Sequence, residues 1–425
     1  MLLTVSLFST SLAQSSTPQK RKKIKDFGSS LKRAKPEPEK NATEGVAISE
    51  GDVIRVDTSL VSSPLLVLDQ KGNAVTGLTA ADFLIRENGV PQTVSHFLTG
   101  DNVNVPRTIV LIIDYSCGSA SSLGNSFKAA KELVDKLGPK DLMAIVTDDV
   151  EMVQDFTSDK KKLKQTLTKV YDRTRQDPVF RHRPYEEPRY GLSKQYSALM
   201  ATLKEAFTVE DIRPIIIFQT DGDEAYLLRD PVLKLKIPEG LPADLLGSAE
   251  RRVDLIRQLR VDDPVEFSLD DVYRTAEKSR VTIYTVDPNV QYVGLKPDVQ
   301  MAKMIAEKQA LLRDSQVPGP QFAHLRDLYL NRVQMAWDIE ESAKLQLALA
   351  EVGSLTGGWT AFLEKPEQAD AIYSRIFTDI NQRYIVGYYP TNKTRDGKRR
   401  KIEVVVKGHP EYQVHGRLSY SAPGN

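Results

Sequence analysis

Arg107-Thr-Ile-Val-Leu-Ile-Ile-Asp-Tyr-Ser-Cys-Gly-Ser119 decides the fold of this 425-residue chain. From Thr108 to Ile113 the side chains are branched or apolar with no polar alternation, the pattern of a strand covered on both faces by helices. The run then stops at Asp114, with Ser116 and Ser119 close behind. Open α/β sheets place ligand sites beyond the carboxyl ends of their strands. The stretch therefore reads as a buried strand that delivers oxygen ligands to its tip.

The residues downstream continue the same architecture. Phe127, Ala130, Leu133, Val134 and Leu137 space a helix over Ser121–Leu137, closed by Gly138-Pro139. Asp141–Thr147 is a second strand, and strand-helix-strand forces a parallel pair. Val150–Phe156 alternates after a two-residue turn, which predicts an antiparallel edge strand. Ser158 is expected to cap the next helix, with Leu163, Leu167 and Val170 inside. Another helix begins in Leu192–Leu203, and a second strong apolar strand, Arg213–Thr220, ends in Asp221-Gly-Asp-Glu224. Ser268-Leu-Asp-Asp271 is a capping box that opens a helix to Ser279, before a strand Val281–Val286 that stops at Asp287. Residues 296–352 are helical in pattern, broken into two arms at Pro318-Gly-Pro320. Trp359–Leu363 is the last strand, followed by a helix with Ile372, Ile376 and Ile380 in one stripe.

Strand patterns flank this unit. Val53–Val61 alternates, Pro64–Asp69 follows, and Phe83–Phe97 reads as a hairpin turning at Asn88-Gly89. Arg383–Tyr389, Lys401–Val406 and Val414–Tyr420 are strands again. The expected class is α/β, a central mostly parallel sheet flanked by helices and inserted in a small split β-sandwich. The boundaries are 1–14 for a leader, 15–50 for a basic linker, 51–102 and 384–425 for the sandwich halves, and 103–383 for the α/β domain. A helical insertion falls at about 290–352 of that domain.

Composition narrows the function. A formal charge of +1 gives no global field toward nucleic acid, which is not an expected partner. The single cysteine, Cys117, excludes an intrachain disulfide and a multi-thiolate zinc site, and the five histidines show no metal-ligand spacing. Met1–Gln14 has the apolar run and small residues of a secretory leader, with cleavage after Ala13, so export is expected. Residues 15–45 are polar and charged around Lys20–Lys25, too poor in apolar side chains to order themselves. That segment reads either as a solvated spacer or as a peripheral tether to an anionic envelope surface. No later apolar run approaches the roughly 20 residues that span a bilayer.

Asp114, Ser116, Ser193 and Asp221 form a set of hard oxygen donors. Hydroxyls with few carboxylates leave water positions open, which suits Mg²⁺ better than a closed Ca²⁺ cage. Asp223 and Glu224 extend an acidic rim or are simply solvated. The alternative for Asp114 and Asp221 is plain capping of the helices that follow them. No positioned general base is evident beside these acids, so an enzyme is not expected.

Leu111-Ile-Ile-Asp-Tyr-Ser116 with Phe218-Gln-Thr-Asp-Gly222 resembles the von Willebrand factor A domain and its metal-ion-dependent adhesion site. Gly77–Phe83, Asn88–Gln92, Leu355-Thr-Gly-Gly358 and Arg383–Asn392 resemble, more narrowly, a bacterial von Willebrand factor A-related family typical of acidobacterial genomes. The resemblance implies a Rossmann-like A domain that binds a protein or polymer through a divalent cation, Mg²⁺ or else Mn²⁺ or Ca²⁺. The family pattern is Asp-x-Ser-x-Ser, then Thr, then Asp. Asp114 and Ser116 match it, Gly118 stands at the second serine with Ser119 one residue late, Ser193 takes the threonine position, and Asp221 matches. The implied function is a non-catalytic, exported binding or adhesion protein, whose partner is a protein or cell-envelope polymer bearing an acidic group. Two alternatives remain: a metal-independent scaffold working through the helical insertion, and a hydrolase whose metal activates water.

Overall fold

The computed structural model describes residues 24, 26–31, 60–99, 106–115, 120–176, 193–208, 211, 213–228, 236–262, 267–314, 319–417 and 419–422. The leader, most of the basic segment, nearly all of the Val53–Val61 strand and the Ser116–Ser119 loop lie outside the described residues.

The chain begins its sheets with β1 (Val61–Leu68), β2 (Phe83–Glu87), β3 (Val90–Gln92) and β4 (Val94–Leu98). The β2–β3 hairpin turns where the sequence predicts, because Asn88 and Gly89 both accept positive φ, 47° and 83°, as a two-residue primed turn requires. Just before β2, the Thr79 N–H donates to the Asp82 carboxylate at 2.7 Å, closing a single helical turn over Ala80–Asp82.

The α/β domain follows, with β5 (Thr108–Ile113), α1 (Ala120–Asp135), β6 (Leu142–Thr147), β7 (Met152–Thr157), α2 (Lys160–Gln176), α3 (Gln195–Glu205) and β8 (Pro214–Gln219). Then come α4 (Ala243–Asp262), α5 (Leu269–Lys278), β9 (Thr282–Asp287), α6 (Pro297–Asp314), α7 (Gly319–Tyr329), α8 (Arg332–Leu355), β10 (Thr360–Phe362) and α9 (Ala369–Gln382). The six-stranded sheet runs β10-β9-β8-β5-β6-β7, parallel except for the antiparallel edge strand β7. Every residue of the central strand β5 is buried. Its side chains alternate between two cores, as the period of a strand dictates. Ile109, Leu111 and Ile113 join α1, α2 and α9 on one face, while Val110 and Ile112 join α3, α5 and α8 on the other.

The sandwich then closes with β11 (Tyr384–Tyr388), β12 (Arg399–Val406), β13 (Gln413–His415) and β14 (Ser419–Ser421). Its two antiparallel sheets run β13-β1-β11-β4 and β14-β12-β2-β3, so strands from both ends of the chain interleave. Between them, Leu65, Phe83, Ile85, Tyr384, Val386 and Ile402 form the core. Glu87 is buried in the same sandwich, 3.4 Å from Arg400, and accepts the Tyr388 and Tyr420 hydroxyls at 3.1 and 2.9 Å. The sandwich is also tied to α5, through Arg399 to Glu277 at 2.8 Å and through Ser419 to the same carboxylate.

The structure corrects several expectations. Asp159, not Ser158, caps α2, since its carboxylate accepts the Lys162 N–H at 3.0 Å. The helical stretch at 296–352 is three helices rather than two arms, because the Asn331 side chain accepts the Gln334 N–H and starts α8 afresh. The end of α8 is packed on the domain, with Leu345, Ala348, Leu349 and Val352 in the core of one sheet face. The α4 helix is an addition that the sequence analysis did not foresee. The Val414–Tyr420 strand is two strands in different sheets, β13 beside β1 and β14 beside β12, parted around Gly416, where a Cβ would overlap Pro64 and Leu65 of β1. Residues 26–31 of the basic segment are docked: Phe27 and Leu31 pack on the α3 side of the core, and Glu205 accepts the Gly28 and Ser30 N–H groups, each at 2.8 Å.

Gly358, between α8 and β10, has a close backbone approach of its own, since a Cβ there would overlap the Ile283 carbonyl of β9. Gly358→Ala should therefore lower the unfolding free energy by about 3 kcal/mol, the upper range for overpacking a filled site. Urea unfolding checks this, and an unchanged midpoint would show that β9 and β10 can part without cost.

Candidate functional site

The site is built by register. Strands β5 and β8 are parallel neighbours with Ile113 opposite Gln219, so the residues after them emerge side by side at the carboxyl edge. The Asp114 N–H donates to the Gln219 carbonyl at 3.0 Å, and the Thr220 N–H to the Val286 carbonyl at 3.1 Å, extending the ladder to the tips. Gly222 then turns the chain at φ 75°, in a space where a Cβ would crowd Leu349 at 3.1 Å and the Tyr196 hydroxyl at 3.2 Å. A buried helical turn, Asp223–Tyr226, follows.

The first turn of α3 faces these tips, and its Gln195 side chain, fully buried, ties the carboxylates together. The Gln195 Nε2 donates to Asp114 Oδ2 at 2.8 Å, Asp221 Oδ1 at 3.2 Å and Asp223 Oδ1 at 2.6 Å. Its Oε1 accepts the Glu224 N–H at 3.0 Å. The Thr220 hydroxyl also donates to Asp114 Oδ2, at 2.9 Å. Alongside, the Ser197 N–H and hydroxyl donate to the Glu224 carboxylate at 2.9 and 2.6 Å, and the Lys194 N–H donates to the Asp148 carbonyl at 2.9 Å.

Of the residues singled out in the sequence, Asp114 and Asp221 are thus brought to one point. Ser193, 2 % exposed, lies just before α3 and its Oγ has no hydrogen-bond partner among the described residues. Ser116, Gly118 and Ser119 lie outside them. Asp223 and Glu224 do not form an exposed rim: the turn after Gly222 folds both inward, where Asp223 meets Gln195 and Glu224 meets Ser197. Gln195 is the residue that the sequence analysis missed. The one signal it carried was a long polar side chain among the small and apolar residues that open α3.

Burial and charge act together on these acids. Burial, then the neighbouring Asp223 and Asp114, raise the Asp221 carboxyl well above the ordinary range. Burial pushes Glu224 up to about 7, against the hydrogen bonds from Ser197 that favour its charged form. Whether the set suits a divalent cation follows from its donors. Converging carboxylate oxygens and a buried, unpartnered serine hydroxyl match the chemistry of a hard cation. As they stand, however, the oxygens surround an amide nitrogen, and among the described residues no group of three or more His, Cys, Asp or Glu is placed to hold a metal ion.

Asp287 closes the third strand tip, that of β9. Burial pushes its carboxyl to about 7, opposed by hydrogen bonds from Asn289 and Gln346. Since the folded value lies above the unfolded one of about 3.9, the native state holds the extra proton. Its stabilising contribution is full below about pH 4 and is lost as pH rises through about 7. Asp287→Asn should flatten that part of the stability profile. Thermal unfolding of both proteins between pH 4 and 8 checks this, and parallel profiles would refute it.

No protein-family profile matches the chain, and no curated protein does. Among solved structures, the fold is similar to BatB from Bacteroides thetaiotaomicron, at 15% identity over 65% of this chain and 98% of that one, with a TM-score of 0.31. It is similar also to the vWF domain of the type V pili tip protein Mfa5 from Porphyromonas gingivalis, at 14% identity, 67% and 96% coverage and a TM-score of 0.31. A manganese-loaded Plasmodium vivax TRAP protein is similar at 10% identity, 80% and 100% coverage and a TM-score of 0.27. None of these similarities is close enough to say what this chain binds. Its own strand order, its antiparallel edge strand and the aspartates at the tips of β5 and β8 give the α/β domain the Rossmann-like fold of a von Willebrand factor A domain, set into a split β-sandwich.

Proposed function

We propose that this chain is an exported, non-catalytic binding or adhesion protein that engages a protein or cell-envelope polymer at the face where β5 and β8 end. The observation that supports this is the convergence of the Asp114 and Asp221 carboxylates, from adjacent parallel strands, on one buried point. Asp114, Asp221 and Ser193 would hold a divalent cation there, with Ser116 and Ser119 on the loop after β5. Mg²⁺, or Mn²⁺ or Ca²⁺, would supply an electrophilic point for an acidic group on the ligand. Binding rather than hydrolysis is the reading taken because Asp114, Asp221, Asp223 and Glu224 are all engaged by hydrogen bonds from Gln195, Thr220 or Ser197 within the cluster. The docked Asp26–Leu31 turn would fix where a basic tether leaves the domain.

A second reading, a metal-independent scaffold, is favoured by a separate small core in the helical insertion, where Tyr292, Met304, Met335 and Ile339 pack together. Calorimetric titration of the full chain with Mg²⁺ and Mn²⁺ separates the two. Cation binding that is lost in Asp221→Ala is the expected result. Binding unchanged in that variant removes the cation from the proposal and leaves the scaffold.

A further inference from the structure

We infer that the Gln195 carboxamide is the resting occupant of the strand-tip acid cluster, and that a divalent cation binds only by displacing it, so that Gln195 sets the cation affinity of the site. The inference rests on the reading that Asp114 and Asp221 are cation ligands, and it adds the residue that competes with the ion.

Three observations carry it. The first is spacing: the carboxylate oxygens of Asp114, Asp221 and Asp223 lie 2.6–3.2 Å from Gln195 Nε2. Those are hydrogen-bond separations, whereas Mg²⁺ takes its oxygens at about 2.0–2.1 Å and Ca²⁺ at about 2.3–2.6 Å. The cluster is closed around a nitrogen. The second is that this nitrogen is held from behind. Gln195 is fully buried, and its Oε1 accepts the Glu224 N–H at 3.0 Å, so the amide is pinned at both ends. The third is that α3 does not depend on Gln195 for its anchorage. Ser197 grips Glu224 through two hydrogen bonds, and the Lys194 N–H grips the Asp148 carbonyl. One side chain can therefore leave while the helix stays.

The exchange is selective by charge. A neutral amide brings only two hydrogens to three carboxylates and cancels none of their charge. A divalent cation does cancel it, at the cost of uncovering the Glu224 N–H. The Ser193 hydroxyl, buried and without a hydrogen-bond partner among the described residues, is a further oxygen two residues before Gln195 in the chain. A residue that cannot donate at position 195 removes the amide, while the Thr220 hydroxyl still donates to Asp114.

The test uses the full chain as the parent protein and as Gln195→Ala, Gln195→Met and Asp221→Ala. Each is titrated with Mg²⁺ and with Mn²⁺ by calorimetry and melted in chelator and in excess Mg²⁺. Both Gln195 variants should bind at least tenfold more tightly than the parent. They should also melt lower than the parent in chelator and recover with Mg²⁺. If Gln195→Ala does not fold, Gln195→Met, which keeps the side-chain volume without the donors, carries the measurement. Gln195 variants that bind no more tightly than the parent overturn the inference. If the parent nonetheless binds and Asp221→Ala does not, the cation reading survives that failure; if none of the proteins binds, both fall. Binding by the Gln195 variants alone upholds the inference and shows that the parent site stays filled by its own amide.

Discussion

Mutual repulsion of carboxylates buried at a sheet edge is the constraint from which the arrangement around the site follows. Parallel, in-register pairing of β5 with β8 leaves Asp114 and Asp221 no choice but to emerge together, and the tight turn at Gly222 adds Asp223. Two like charges about 4 Å apart repel by on the order of 4 kcal/mol at an effective dielectric near 20. A hydrogen bond to a charged group returns about 1.5–3 kcal/mol. One amide therefore cannot neutralise the cluster, and the Asp221 carboxyl is raised first by burial and then by its acidic neighbours. The opening of α3, the buried Asp223–Tyr226 turn and the Ser197–Glu224 pair all lie around this charge imbalance.

The sandwich solves a similar problem in another way. Glu87 is just as buried, yet it has the Arg400 guanidinium and two tyrosine hydroxyls, so its charge is met by an opposite charge and by donors. A buried pair of this kind suffers badly when one partner is removed, which binds β2 and β12, from opposite ends of the chain, into one unit. Among the described residues, buried acids such as Glu87, Asp141 and Asp379 are thus met by an arginine, whereas at the strand tips burial and acidic neighbours raise the Asp221 carboxyl.

Much of this was legible in the sequence where the signal is local. The unbroken apolar run of β5 and β8, the Asn88-Gly89 turn and the Ser268–Asp271 capping box each depend on residues adjacent in the chain, and each forms as read. The site was only half legible. Asp114 and Asp221 end strands and so announce themselves, but Gln195 matters only because α3 lands its first turn against those tips, a tertiary fact with no local signature. The split of Val414–Tyr420 escaped for the same reason, since β13 pairs with β1 and β14 with β12, distant partners that no local pattern names. The α4 helix went unread because its few buried residues, Ala249, Val253 and Ile256, are diluted by charged ones.

The interleaved sandwich has a mechanical consequence. The α/β domain leaves from the end of β4 and returns at the start of β11, and those strands are hydrogen-bonded neighbours, with Leu98 facing Ile385. A tug on the inserted domain pulls both strands the same way, so they do not slide past each other and the domain is not stretched between its own ends. The load passes instead to the ladder joining β11 to β1, from Tyr388 opposite Val61 to Tyr384 opposite Leu65. Its hydrogen bonds lie across the pull, so they resist in shear and must fail together rather than unzip one by one.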